Sequence, residues 1–134
     1  IPFGQARIVT EGADITVVTN SMMTIKAEKA VRQLQKEGIS AELIDLRTIV
    51  PLDTETIIRS VKKTGKLLIV DEGHLSFGIT GEIASRIMPD VFYDLDAPIQ
   101  RMGTADVPLP FSPALEFPLI PDEKKIAAKI REMV

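Results

Sequence analysis

Short apolar runs alternate with segments whose apolar residues have a helical spacing, and this alternation constrains the fold more than any other feature of the sequence. The apolar runs lie at residues 15–19, 41–46, 66–70 and 99–102. Because they are apolar at nearly every position and rich in β-branched residues, they are typical of parallel strands that helices cover on both faces. A further run at residues 6–9 predicts a fifth strand at an edge of the sheet.

Four helices are predicted between and after these strands, at residues 21–38, 53–65, 78–89 and 122–133. Ser21 and Asp53 are candidate N-caps, and Pro89 is expected to end the third helix because proline interrupts helical hydrogen bonding. The alternation of strands and helices predicts right-handed crossovers. We therefore expect an α/β fold of three layers, in which a five-stranded, mainly parallel sheet with one antiparallel edge strand lies between helices.

The segment from residue 103 to residue 121 is rich in proline. Its prolines, which oppose a regular helix or a central strand, are Pro108, Pro110, Pro113 and Pro118. The segment is therefore predicted to be a long, ordered surface loop. Its apolar residues Leu109, Phe111 and Leu115 are candidates for the core of an interface, with burial inside the same domain as the alternative.

Length and composition exclude several classes of protein. The 134 residues are expected to form one domain, and the formal charge of -3 with scattered Lys and Arg opposes a nucleic-acid partner. The absence of cysteine excludes a disulfide framework, a zinc-thiolate site and a cysteine nucleophile. No apolar run reaches the ~20 residues of a spanning helix, so no membrane association is expected.

The only histidine, His74, follows Asp71, Glu72 and Gly73 at the end of a predicted strand. Open α/β sheets often hold ligands at that position, so a catalytic acid or base is one interpretation. A general base needs a partner within hydrogen-bond reach, and the sequence identifies none. Asp71 and Glu72 could hold a metal, but consecutive side chains of a strand point to opposite faces. We therefore favour interface or loop roles for Glu72 and His74.

Three glycines, Gly73, Gly78 and Gly81, are similar to a turn that binds phosphate at the start of a helix. Their spacing fits neither the dinucleotide-binding motif nor the P-loop. Close packing of helix on strand is the preferred interpretation of these glycines. A stand-alone module that binds a small anion at the strand ends stays open as an alternative function.

Several strings of the sequence resemble one family, in the order in which that family carries them. The most specific is AELIDLRTIVPLD at residues 41–53, which matches the pattern DLRT-x-x-P-x-D through Leu46, Arg47, Thr48, Pro51, Leu52 and Asp53. The others are IPFGQARI from residue 1, DITVVTNS from 14, VDEG from 70, GEIASRI from 81, LDAPIQRM from 95, VPLPFSPALE from 107 and IPD from 120. Together they resemble the C-terminal domain of the transketolase-like family, specifically the beta subunits of pyruvate and branched-chain 2-oxoacid dehydrogenases.

This resemblance implies that residues 1–134 are a transketolase C-terminal-like domain, a fragment of a longer beta subunit. In that family a preceding domain contributes to the thiamine site, so thiamine diphosphate and magnesium are expected in the full enzyme and not on this fragment. The resemblance implies no catalytic, cofactor-binding or metal-binding residue here. The implied enzyme oxidatively decarboxylates a 2-oxoacid and acylates a lipoyl group, and the isolated fragment is expected to be inactive.

The implied partners are an alpha subunit and a second beta subunit in a heterotetramer, together with the acyltransferase core component. Asp96, in the string LDAP, matches an acidic position that the family uses near the docking surface for that component; a turn or cap aspartate is the alternative. The implied compartment is a bacterial or archaeal cytoplasm, with the mitochondrial matrix as the alternative. The C-terminal domain of transketolase or deoxyxylulose-phosphate synthase is the other branch that stays open.

Titration calorimetry of the isolated chain with thiamine diphosphate and magnesium is expected to show no saturable binding, because the cofactor domain is expected upstream. The isolated chain should also fail to decarboxylate 2-oxoacids. A complete beta subunit, measured with its alpha subunit under the same conditions, is the positive control. Saturable binding to the isolated chain would contradict the placement of the site elsewhere.

Overall fold

The computed structural model describes residues 2–108 and 111–134, with the backbone alone at Phe117. One sheet has the strand order β1-β3-β2-β4-β5. Its strands are β1 at Arg7–Thr10, β2 at Ile15–Thr19, β3 at Ala41–Asp45, β4 at Leu67–His74 and β5 at Gln100–Thr104. The pairs β3–β2, β2–β4 and β4–β5 are parallel, whereas β1 pairs with β3 in the antiparallel direction. The predicted sheet is confirmed.

Helices cover both faces of this sheet. They are α1 at Met22–Lys36, α2 at Thr54–Thr64, α3 at Ile79–Val91, α4 at Pro113–Glu116 and α5 at Glu123–Met133. The helices α1 and α5 bury one apolar cluster against the sheet, and α2 and α3 bury a second cluster on the other face. The predicted three-layer architecture is therefore confirmed.

The central strands β2 and β3 are buried along their whole length. Val17 of β2 belongs to the cluster under α1 and α5, while Val18 belongs to the cluster under α2 and α3. Successive side chains of a strand point to opposite faces, so a strand covered on both sides must be apolar at consecutive positions. The parallel pairing starts with Ile15 opposite Ala41.

A buried carboxylate ties β3 to its surroundings. Glu42 is only 2% exposed, forms an ion pair with Lys63 of α2 and accepts a hydrogen bond from the Gly12 N–H at 3.2 Å. Burial alone would raise the pKa of Glu42, but hydrogen bonds from Lys63, Ser60 and Gly12 together hold that pKa below its usual value. The charged form therefore belongs to the folded state, and its contribution to stability is lost as the pH falls through the lowered pKa.

Two helix ends differ from the prediction. The helix α3 passes through Pro89 and ends at Val91. Val91 is fully buried, so the extra turn continues the apolar face of the helix. Pro89 is exposed, so the backbone carbonyl that loses its helical hydrogen bond to the proline can bond water instead. Ser21 does precede α1, but its side chain makes no capping hydrogen bond and its backbone has a left-handed φ of 55°.

The proline-rich segment was expected to lack regular structure, and this expectation is wrong in part. The strand β5 extends to Thr104, the short helix α4 begins at Pro113, and a 3-10 turn follows at Phe117–Leu119. Proline is tolerated in the first turn of a helix, where its missing N–H would have no partner within the helix. The N–H groups of Leu115 and Glu116 both donate to the Ser112 carbonyl.

Gly12→Ala is expected to lower the free energy of unfolding by about 3 kcal/mol, because it overpacks a site closed by backbone. A Cβ at Gly12 would lie 2.2 Å from the carbonyl carbon of Ala41. Gly38→Ala is the matched control, since it has a left-handed φ of +85° but nothing within 4 Å of the added Cβ. Gly38→Ala should lower the free energy of unfolding by only about 1 kcal/mol. Urea denaturation measures both, and equal losses would contradict this packing argument.

Candidate functional site

The fold leaves loops exposed at two edges of the sheet. We call the carboxyl edge the row of segments at residues 2–6, 20–22, 46–53, 75–78 and 105–108, and the amino edge the segments at residues 11–14, 37–40, 64–66 and 90–98. Glu72 and His74 lie toward the carboxyl edge, from which the segment with Phe111 departs, whereas Asp96 lies at the amino edge. Leu109 falls outside the described residues.

Asp96 and the start of the proline-rich segment at residues 105–108 therefore lie at opposite ends of one strand. The strand β5, at Gln100–Thr104, separates them. Five residues of a strand span roughly 16 Å. A partner that docks on Asp96 meets the amino edge, and a partner of Phe111 approaches from the other end of the strand.

His74 is the last residue of β4, and its ring is exposed. Its Nδ1 lies 2.8 Å from the Ala105 carbonyl oxygen, and since a carbonyl only accepts, Nδ1 carries the proton. The nearby hydroxyl of Ser76 bonds to Asp106 and not to His74. Within the described part of the chain, His74 thus has no hydroxyl partner that it could activate as a general base. Glu72 is exposed beside it.

The pair Ser76–Asp106 is a feature that the sequence analysis missed. The carboxylate of Asp106 accepts hydrogen bonds from the Ser76 hydroxyl and, at 3.2 Å, from the Ser76 N–H. The hydrogen bond from the Ser76 side chain is the main cause that lowers the pKa of Asp106. The two residues are 30 positions apart, so no local pattern could reveal the contact. It fastens the start of the proline-rich segment to the loop after β4.

A mostly apolar groove of about 600 Å³ lies beside Asp96. We call it the Asp96 groove. Its walls come from the end of α3 and the chain that follows, and they include Met88, Phe92, Leu95 and Ile99, with Asp96 and Arg101 as the charged members. Next to it, Tyr93 is 95% exposed and packs edge-on against the ring of Phe92, with 5.1 Å between the ring centroids.

The surroundings of Asp96 leave its charge without compensation. Its backbone N–H donates to the Gly65 carbonyl at 2.8 Å. Its carboxylate lies against Gly65, where a Cβ would come 2.3 Å from Oδ2. Gly65 caps the C-terminal end of α2, and that end of a helix carries partial negative charge. No ion pair of Asp96 is formed within the described residues.

Exposed apolar side chains also escaped the sequence analysis. Phe77, Val50 and Tyr93 are almost fully exposed, at the carboxyl edge for the first two and the amino edge for the third. The sequence did carry a signal for them, because each is an apolar residue that lies outside the helical and strand periodicities. Among residues 2–108 and 111–134, no group of three or more metal-ligating His, Asp or Glu residues converges. In the same ranges no helix is long and apolar enough to cross a membrane.

Comparison with known proteins identifies what this chain is similar to. The family model "Transketolase, C-terminal domain" matches residues 4–126. The beta subunit of the pyruvate dehydrogenase E1 component from Rickettsia felis is 47% identical over 133 residues, 99% of this chain and 41% of the relative. The 2-oxoisovalerate dehydrogenase subunit beta from Bacillus subtilis is 41% identical over 134 residues, again 99% of this chain and 41% of the relative.

Solved structures give the same picture of the fold. A split-gene transketolase, described as an inactive beta4 tetramer, superposes with a TM-score of 0.82 at 26% identity, and the match covers 99% of this chain and 42% of that one. The chain thus spans about 41% of the length of the curated relatives named above.

Asp106→Ala is expected to loosen the start of the proline-rich segment without unfolding the chain, because it removes both hydrogen bonds from Ser76. Hydrogen exchange of the Ser76 amide should become at least about tenfold faster, since the amide loses its acceptor. Asp90→Ala, which removes an exposed carboxylate at the other end of α3, is the control and should leave Ser76 unchanged. Unchanged exchange in Asp106→Ala would contradict the role of this pair.

Proposed function

The chain belongs to the transketolase C-terminal domain family, and on that premise we propose that it is the assembly and docking domain of the beta subunit of a 2-oxoacid dehydrogenase. The complete enzyme would oxidatively decarboxylate a 2-oxoacid and acylate a lipoyl group. In this proposal the domain holds subunits together and receives a partner, while the rest of the enzyme carries the chemistry.

The observation that carries the proposal is the extent of the match. Nearly all of this chain aligns with dehydrogenase beta subunits, yet it accounts for only 41% of their length. Residues outside the match are therefore available to hold the cofactor. The names of these relatives also favour the dehydrogenase branch over transketolase or deoxyxylulose-phosphate synthase, and over a stand-alone module that binds an anion.

Thiamine diphosphate and magnesium are proposed for the complete enzyme. Magnesium requires several oxygen ligands at short range. The described residues present no converging group of three or more His, Asp or Glu. In this proposal the metal and the cofactor are held by the part of the enzyme outside this chain, and no step of the reaction is assigned to the described residues.

The proposed partners are an alpha subunit, a second beta subunit and the acyltransferase core component. For the last, the amino edge supplies a complementary surface for a basic partner, because Asp90, Asp94 and Asp96 are all exposed there. The aromatic rings of Phe92 and Tyr93 could anchor its apolar contacts. Opposite charges would speed association and set the orientation of docking.

The proposed compartment follows from the relatives. Those from Rickettsia felis and Bacillus subtilis are bacterial, which favours the cytoplasm. A beta subunit from Dictyostelium discoideum, 48% identical over 116 residues, is named as mitochondrial, so the matrix is the alternative.

Asp96→Ala in the complete enzyme tests the docking role. The affinity for the binding domain of the acyltransferase component should fall about tenfold, equivalent to roughly 1.4 kcal/mol, because one member of a charged pair is lost. Decarboxylation measured with an artificial electron acceptor should stay near that of the unsubstituted enzyme.

Glu28→Ala is the matched control, since Glu28 is a surface carboxylate of α1 on the opposite helical layer. It should change neither docking nor decarboxylation. Unchanged docking affinity in Asp96→Ala, or loss of decarboxylation in an enzyme that stays folded, would remove the docking role from Asp96.

A further inference from the structure

Strained backbone collects at the carboxyl edge. Three residues other than glycine have a left-handed φ, namely Ser21 at 55°, Arg47 at 64° and Phe77 at 59°. Each follows the end of a parallel strand by two or three residues, after β2, β3 and β4 respectively. A left-handed conformation costs a residue with a side chain roughly 1–2 kcal/mol, and such strain persists where surrounding structure or function requires it.

Exposed apolar side chains collect at the same edge. Phe3, Met22, Val50, Phe77 and Val107 are all exposed there, in loops or at the start of α1, and they follow the sheet order from β1 to β5. Neighbouring strands lie about 4.8 Å apart, so these loops form one row roughly 20 Å long. Five exposed apolar side chains along one edge of a domain favour a contact of that edge with another part of an assembly.

The path of the chain indicates what covers this row. The strand β1 is antiparallel, with Arg7 opposite Asp45 at the end of β3, so residues 2–6 emerge at the carboxyl edge. The Ala6 N–H donates to Asp53 Oδ2 at 2.8 Å, and Gly4 packs against the ring of Pro51. Polypeptide that precedes Pro2 therefore starts beside the exposed side chains of Phe3 and Val50.

Asp53 holds this entry in place. Its carboxylate also accepts from the Thr56 N–H at 3.1 Å, so one side chain caps α2 and fixes the incoming chain. Burial alone would raise the pKa of Asp53, but hydrogen bonds from Thr56 and Ala6 outweigh it and lower that pKa. The entry point is thus fixed relative to the sheet.

We propose that the carboxyl edge is the surface on which the preceding domain of the same polypeptide rests. This inference rests on the proposed function, in which the chain is the C-terminal part of a longer beta subunit. A domain tethered at the edge has an effective concentration in the millimolar range, so it outcompetes an untethered partner for the same apolar row. Contact with that domain would offset part of the cost of the left-handed conformations at Ser21, Arg47 and Phe77.

Thiol labelling of the complete beta subunit tests this surface, because residues 1–134 contain no cysteine. Phe77→Cys places one thiol at the carboxyl edge, and Tyr93→Cys places a control thiol at the amino edge, where Tyr93 is 95% exposed. Labelling by a maleimide is followed on the peptide that holds each position, in the absence of the acyltransferase component. Rates in the urea-denatured subunit provide the reference.

Each labelling rate is divided by the rate at the same position in the urea-denatured subunit. The resulting ratio should be at least about tenfold lower at position 77 than at position 93, since a thiol under a docked domain reacts only when the contact opens. Val50→Cys, at a site 84% exposed in the domain, repeats the test if Phe77→Cys fails to fold. Equal rates at the two edges would overturn the proposal.

A photo-reactive maleimide on the thiol of the Phe77→Cys variant, in a mixture of ¹⁴N- and ¹⁵N-labelled subunits, then identifies the occupant. Cross-linked peptide pairs of a single isotope that join position 77 to sequence preceding residue 1 are expected. Pairs of mixed isotope would assign the edge to a second beta subunit, and pairs with the alpha subunit would assign it to that partner; either result overturns the proposal. Decarboxylation by the reconstituted wild-type enzyme is measured separately, so failure of the proposed function is distinguishable from failure of this surface.

Discussion

Helices cover both faces of the sheet, and the strands β2 and β3 have no exposed residue along their length. Side chains on one face pack under α1 and α5, and those on the other pack under α2 and α3. With both faces closed, the surfaces left for other molecules are the outer faces of helices, the edge strands β1 and β5, and the two edges where the loops lie. The direction of the strands then decides which residues can act together.

The two edges differ in chemistry. The amino edge carries Asp90, Asp94 and Asp96 beside an apolar groove, which suits a partner with basic residues. The carboxyl edge carries strained and apolar residues such as Phe77, together with the incoming chain that Asp53 fastens. A domain of this design could contact its own subunit through one edge and present the other to a separate component.

The sequence was sufficient for the sheet and the four long helices because its strongest signals are local. The runs at β2 and β3 are apolar at consecutive positions, and Asp53 caps α2 as its residue type predicts. At Pro89 the burial of Val91 overrode a local rule, since tertiary packing outweighed the cost of the missing hydrogen bond.

For the candidate site, the contact between Ser76 and Asp106 depends on how distant segments meet, which no local pattern records. Asp96 and the start of the proline-rich segment lie at opposite ends of β5, so strand direction could have predicted their separation.

In the proposed function, this domain contributes assembly and docking and supplies no catalytic group of its own. The most direct measurement is kcat for 2-oxoacid decarboxylation, with an artificial electron acceptor, by the complete enzyme carrying His74→Asn. Asparagine can keep a donor toward the Ala105 carbonyl that His74 now bonds at 2.8 Å, but it cannot transfer a proton near neutral pH. We predict a kcat within about twofold of the unsubstituted enzyme, whereas a fall of roughly 10²-fold or more, the size of a general acid or base contribution, would contradict the claim.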